Sequence, residues 1–410
     1  MESNGKRWRR SLQELNEAIK HRPDDSVAYV ERGEIYYDAG DMERALDDYN
    51  KALAIGPAHP AALTSRGLVY IGAGDCTRAI NDFSKAIKAS PDFGFAYYNR
   101  GIAYLKQNLF AKAISDFNKG ISLYPSTDPI ICMVYGFRGE AYHGLKDCSA
   151  AVADFSRVIE FFPKDALWYD KRAAVYTDMG DNDRAIADYT QAIALGKEAS
   201  IVYFNRGLAH YRKNEADEAL ADFNQAIKLD PKNAEAYNNR AAIYRVREDY
   251  DRAIADCDRA IEIDPQLRPP YRVRGMCFLR KGNYERAVQD FDKAMKLGDK
   301  SADMHSRRGE AYMQLDNFDR AIADFSAAIK IDRRDANIYN WRGIAYCEKK
   351  DYDHADADYK EAVRLDPKFD LAYKNLAVLH KGISAMHLDL SKEYERKAKE
   401  CNEELTINNE

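Results

Sequence analysis

The chain has 410 residues, 46% of them hydrophobic and 31% charged, with 62 Lys and Arg against 67 Asp and Glu and a formal net charge of -5. This length is too great for one ordinary domain unless the chain is built of repeats. The charge balance excludes a dedicated nucleic-acid binder, which carries a strong basic excess, and no window approaches 18 uninterrupted apolar residues, so no membrane span is expected.

The N-terminal stretch "MESNGKRWRRSLQELNEAIK" has basic residues but no apolar run behind them, so it does not read as a secretory signal. Residues 1–25 look like the closing half of a repeat, with Leu15, Ala18 and Pro23 at its characteristic spacing. From there one pattern returns throughout. A small residue follows an Arg at Gly33, Gly67, Gly101, Gly139, Ala173, Gly207, Ala241, Gly275, Gly309 and Gly343. The steps are 34 residues, except for one of 38 between Gly101 and Gly139. A fixed period of this length marks a stacked-repeat architecture.

Each unit predicts two helices. The first carries Tyr, Arg-Gly and Tyr at spacings of three and four, as in "YVERGEIYY" from Tyr29, which places them on one helical face. A short turn follows, often Gly-Asp. The second helix carries Ala, an aromatic residue and Ala, as in Ala79, Phe83 and Ala86, and stops at a proline such as Pro231, Pro265 or Pro367. Two units end instead on Gly196 and Gly298, which suit a left-handed cap. Units one to three span 26–127. Residues 128–131 hold an insertion, which is expected to disturb the stacking of unit three on unit four or to be tolerated as a longer turn. Units four to ten span 132–369. Residues 370–410 hold a degenerate unit, with Tyr373 and Ala377 in first-helix slots, and then "SKEYERKAKECNEEL", whose charged faces suit a capping helix.

Counted from one to 34, the pattern is an aromatic at 4, mostly Tyr, a small residue at 8, an aromatic at 11, Ala at 20, an aromatic at 24, Ala at 27 and Pro at 32. This resembles the tetratricopeptide repeat, over ten complete units and a partial one at each end. The departures are Tyr instead of Trp at position 4, Gly120 and Val158 at position 27, and His210 at position 11. The resemblance implies an all-α fold, a right-handed superhelical solenoid of stacked antiparallel helix pairs.

Position 7 is Arg in all ten units, from Arg32 to Arg342, where the family usually has Leu; position 23 is Asp in all ten, from Asp48 to Asp358. The two positions lie on opposite helices of one hairpin, so a repeated Arg–Asp bridge is expected, within a repeat or between neighbours. Asp358 persists although Leu376 occupies position 7 of the next unit, which favours pairing within a repeat. An arginine stripe for an acidic ligand is the competing reading, and the constant Asp argues against it.

No chemistry-bearing motif is present: no H-E-x-x-H, no Cys/His cluster, no G-x-S-x-G and no Walker or Rossmann glycine pattern. His210 and His305 fall in aromatic core slots. The chain is therefore not expected to be an enzyme, and no cofactor, metal or catalytic residue is assigned. The odd cysteine count, wide spacing and lack of a C-x-x-C read as reduced thiols in a cytoplasmic setting.

The resemblance implies that first-helix positions 2, 5, 6, 9, 12 and 13 face a concave groove that binds a partner. In the first half this set is apolar and includes Val30, Tyr37, Ile71, Phe95, Tyr98, Leu105 and Phe137. Asn99, Asn205 and Asn239 stand at position 6, with Asn238 and Asn340 at position 5. An amide there can donate to and accept from one peptide unit of a partner. Tyr211 and then Arg212, Arg245, Arg272, Arg280 and Arg307 follow, with Glu235 and Glu310 among them. Arg makes bidentate, charge-assisted bonds. The expected partner is another protein, met through an extended or helical segment and suited to an acidic one; exposed repeat ends also permit self-association. The chaperone-tail clamp of this family uses Lys at position 5 and Asn at position 9, and none of the ten complete units has either. The expected role is a protein–protein interaction scaffold, the alternative being a structural subunit that uses repeat edges and the convex face.

Overall fold

The computed structural model describes residues 2–124 and 129–385. The terminal segment Ser391–Leu405 and Asp128, the first residue of the insertion, lie outside the described residues. The first helix, Glu2–His21, is followed by ten helix pairs, beginning with Ser26–Asp38 and Met42–Ile55 and ending with Ala336–Glu348 and Tyr352–Leu365. A further helical stretch covers 370–385. No strand occurs among the described residues. The chain divides into two compact units, Met1–Glu218 and Ala219–Glu410.

The turn inside each pair follows one recipe. Position 15 has positive φ in all ten repeats: Gly40, Gly74, Gly180 and Gly282 take it freely, whereas Asn108, Lys146, Asn214, Glu248, Asp316 and Lys350 take it at φ between 52° and 63°. The next residue caps the second helix. Asp41, Asp75, Asp181 and Asp249 each accept from the backbone N–H three residues on and pair with the Arg at that position. That arginine also lies over the position-11 tyrosine, as Arg44 does over Tyr36 at 4.5 Å. Gly196 and Gly298 have φ of 92° and 103°, the left-handed caps expected of them.

Position 8 is where the paired helices approach most closely. A Cβ on Gly101 would stand 2.6 Å from Cε1 of Phe117, and a Cβ on Gly67 would stand 2.5 Å from Cε1 of Phe83. The aromatic at position 24 therefore lies flat against a bare backbone and is wholly buried, as Phe83, Phe117, Phe223, Phe291 and Phe325 show. In repeat seven Ala241 stands at position 8, and the smaller Cys257 takes the place of the ring.

Beside this contact runs the Arg–Asp ladder, and it forms within repeats. Arg32, Arg66, Arg100, Arg138, Arg172, Arg240, Arg274, Arg308 and Arg342 each donate Nε and Nη2 to the two oxygens of the Asp sixteen residues on. In repeat three the bonds are 2.7 and 2.8 Å. The arginine rests between rings of its own helix, 5.7 Å from Tyr97 and 5.8 Å from Tyr104 in the same repeat. Hydrogen bonding to Asp116 raises the pKa of Arg100 further. The planar fork meets both carboxylate oxygens at once, which an ammonium could not do.

The remaining nitrogen reaches backwards. In all ten repeats Nη1 donates to the side chain at position 25 of the preceding repeat: Arg32 to Asn16, Arg66 to Asn50, Arg100 to Ser84, Arg138 to Asn118, Arg172 to Ser156, Arg206 to Thr190, Arg240 to Asn224, Arg274 to Asp258, Arg308 to Asp292 and Arg342 to Ser326. After the tenth repeat, where Leu376 replaces the arginine, position 25 is Lys360 and pairs with Asp356 instead. The bond from Arg138 to Asn118 spans the inserted turn at 2.6 Å, so repeat four stays latched to repeat three. The insertion lengthens the connection without breaking the stack.

Two outcomes follow for stability. Arg100→Leu leaves Asp116 buried and uncompensated and is expected to cost roughly 3–5 kcal/mol. Amide hydrogen exchange should place that loss in repeats two to four. Glu248→Gly removes a side chain from a left-handed turn and is expected to stabilise by about 0.5–1 kcal/mol in urea unfolding, since αL costs roughly 1–2 kcal/mol and glycine's extra unfolded freedom returns part of it.

Candidate partner-binding face

Within each compact unit the first helices of successive repeats pack on one another, as Ser26–Asp38 does on Pro60–Gly72 and Ala234–Val246 on Arg268–Arg280. The second helices are held apart by them. A stack that is tighter on one side curves towards that side, so the first helices line the concave face of each unit.

On this face in the first unit an aromatic run is continuous. Phe95 is 6.2 Å from Tyr98, and Tyr98 is 5.9 Å from Phe137, ring centre to ring centre. All three are half-buried. Tyr98 also meets Phe117 in the core, and burial pushes its hydroxyl up to about 12. Tyr37 is half-buried against Tyr49 and Val69. Val30 belongs to the core and is 4% exposed, so it is not a contact residue.

The asparagines are turned inward. Asn99 is 3% exposed, and its Nδ2 donates to the Phe95 carbonyl one turn back. Asn239 does the same to Glu235. Asn205 bonds the hydroxyl of Tyr189, which burial pushes up to about 12. Asn340 is buried and accepts from Asn375 of the next unit. Each thus satisfies a donor locally, and the structure gives Asn99 no access to a partner's backbone. Tyr211 and Arg212 are exposed, and Arg212 reaches the Thr177 carbonyl at 3.4 Å.

The arginines of the second unit divide into two kinds. Arg272 pairs with Asp303 at 2.8 Å, and Arg307 pairs with Asp303 and with Glu310. Arg245 and Arg280 form no ion pair or hydrogen bond among the described residues, and the Nε of Arg245 is buried. The carboxamide oxygen of Asn238, two turns before Arg245 on the same helix, is likewise buried without a partner. His210 bonds Glu215, and His305 bonds Asp324 of the ladder. No group of three metal-ligating side chains occurs among the described residues, and Cys76, Cys148, Cys257, Cys277 and Cys347 are free thiols. No described helix is long and apolar enough to cross a membrane.

Family models described as "Tetratricopeptide repeat" match residues 3–60 and 171–233, 95–127 and 234–267, 336–369, and 273–297, and one described as "TPR repeat" matches 309–349. Together these spans cover well over half of the chain. The chain belongs to the tetratricopeptide-repeat family. No curated protein sequence is significantly similar to it. Solved tetratricopeptide structures resemble it at low identity. The P58(IPK) TPR domain is 19% identical over 88% of this chain and 99% of its own, with a TM-score of 0.38. YrrB, described as a TPR protein with an unusual peptide-binding site, is 24% identical over 45% of this chain and 96% of its own, with a TM-score of 0.42. The C-terminal part of a TPR repeat-containing protein from Cytophaga hutchinsonii is 17% identical over 58% of this chain and 98% of its own, with a TM-score of 0.48.

Two features of this tetratricopeptide face escape sequence reasoning. One is Asp303, which neutralises both Arg272 and Arg307. Its spacing of four from Arg307 was a readable signal, but its bond to Arg272 crosses repeats. The other is a cluster of lysines, Lys106, Lys146 and Lys171, around Phe137. They come from two first helices and one turn, so no single stretch of sequence shows them together.

Proposed function

We propose that the chain is a non-catalytic scaffold that binds a segment of a partner protein along its first-helix face. Apolar contact is made in the first unit, by Phe95, Tyr98 and Phe137, and charge selection in the second. The observation that carries this is the pair Arg245 and Arg280. Every ladder arginine is matched to acceptors within the fold, and so are Arg272 and Arg307. Arg245 is half-buried with its Nε enclosed and unpaired, which is costly, and Arg280 is exposed with no anion beside it, so an anion supplied from outside is what these two arginines fit. An acidic peptide segment provides carboxylates for them and a backbone N–H for the oxygen of Asn238. The scaffold role fits the family, and the free thiols suit the cytoplasm.

A second reading has one observation behind it. Phe161 and Phe162 are 49% and 37% exposed at a repeat edge, beside Leu167. Such an edge suits a structural subunit that uses its repeat ends.

The test compares proteins captured by the native chain with those captured by Arg245→Glu, Arg280→Glu, identified by mass spectrometry, followed by titration of a peptide from the partner. The expected result is loss of the partner and at least a tenfold weaker peptide affinity, with native binding weakening steeply as salt rises. Undiminished capture by the charge-reversed chain, lost instead on Phe161→Ser, Phe162→Ser, would move the function to the edge.

A further inference from the structure

Between repeats three and four the first-helix face opens into a cavity of about 570 Å³. Its walls are Ile102, Leu105, Phe110 and Phe137, and the ring of Phe155 is its floor. At Gly144 the bare backbone lets the Phe110 ring pack close, since a Cβ there would stand 2.6 Å from it, and that ring forms part of the wall. The aromatic run Phe95, Tyr98, Phe137 ends at this opening.

The rim is cationic. Lys171 pairs with Glu140 at 3.2 Å, and Lys146 and His143 share Asp178. Lys106 is exposed and has no ionic partner among the described residues. An apolar cavity with one unneutralised cation at its mouth has the form of a site for a side chain that is apolar at its tip and acidic next to it. Buried anchors of this kind carry a large share of interface energy.

We propose that this cavity is the anchor subsite of the partner-binding face, taking one aromatic or large aliphatic side chain of the partner whose neighbouring carboxylate meets Lys106. This rests on the groove reading of the preceding section and adds to it the chemistry of the bound residue.

The probe is 3-phenylpropionate, one ring and one carboxylate on a short tether, with 3-phenylpropylamine and propionate as comparators. Saturation-transfer NMR is read on the full chain, native and in two variants. Ile102→Trp fills the cavity from its wall, and Lys106→Glu changes only an exposed charge. The phenyl acid should bind saturably and more tightly than either comparator. Ile102→Trp should weaken it at least tenfold, and Lys106→Glu at least threefold while tightening the amine. No saturable binding, or binding unchanged in both variants, overturns the anchor; if Arg245→Glu, Arg280→Glu still abolishes partner capture, the groove reading stands without it. Probe binding as expected, with partner capture indifferent to Ile102→Trp and to the arginine reversal, overturns both.

Discussion

The three-armed arginine at position 7 is the contact on which the rest of the molecule depends. Two nitrogens close a hairpin by holding both oxygens of one aspartate, and the third holds the preceding hairpin. A repeat cannot bury its apolar face alone and gains stability from its neighbours. Apolar burial is non-directional, so by itself it would allow hairpins to slide on one another. The guanidinium removes that freedom because its donors lie in one plane at fixed angles. Its net worth in free energy is modest after desolvation; what it adds is register, fixed ten times over. That the bond from Arg138 to Asn118 spans a longer connection shows that the latch, and not the loop length, sets the spacing of repeats.

With closure and register assigned to positions 7, 8, 23, 24 and 25, the outward positions of the first helices are free to differ. They do so in a graded way, from aromatic around repeats three and four to charged beyond repeat six. The contrast between matched and unmatched arginines separates scaffold from site. Arg274 and Arg280 lie on the same helix six residues apart. Arg274 has acceptors on two neighbouring helices, in Asp290 and Asp258, and Arg280 has none among the described residues. Residue type alone cannot make this distinction; the surroundings make it.

Much of the fold was legible in the chain because it is periodic. The Arg and Asp repeated at fixed offsets, and so did the glycines, and identity at a fixed offset is what a sequence displays. The third arm was not legible, because position 25 is Asn, Ser, Thr or Asp, and the common property is an acceptor oxygen of suitable reach. The inward turn of Asn99 was hidden for a different reason. Its amide can serve a peptide in the groove or the carbonyl one turn back, and in the fold it is buried and bonds the latter. Arg272 and Arg307 looked alike to Arg245 and Arg280 until Asp303 was placed between them. The cavity beside Phe137 needed the positions of five helices, which no residue pattern displays.

The most direct test of the latch is a double-mutant cycle across one repeat boundary, Asn50→Ala with Arg66→Lys, read by native-state hydrogen exchange in the helices of repeats one and two. Charge-assisted hydrogen bonds contribute about 1.5–3 kcal/mol, and contacting residues couple by about 0.5–3 kcal/mol. The account predicts a coupling of at least about 1 kcal/mol between Asn50 and Arg66. Additive effects, with the two substitutions independent, would contradict it and leave apolar packing alone to set the register of the stack.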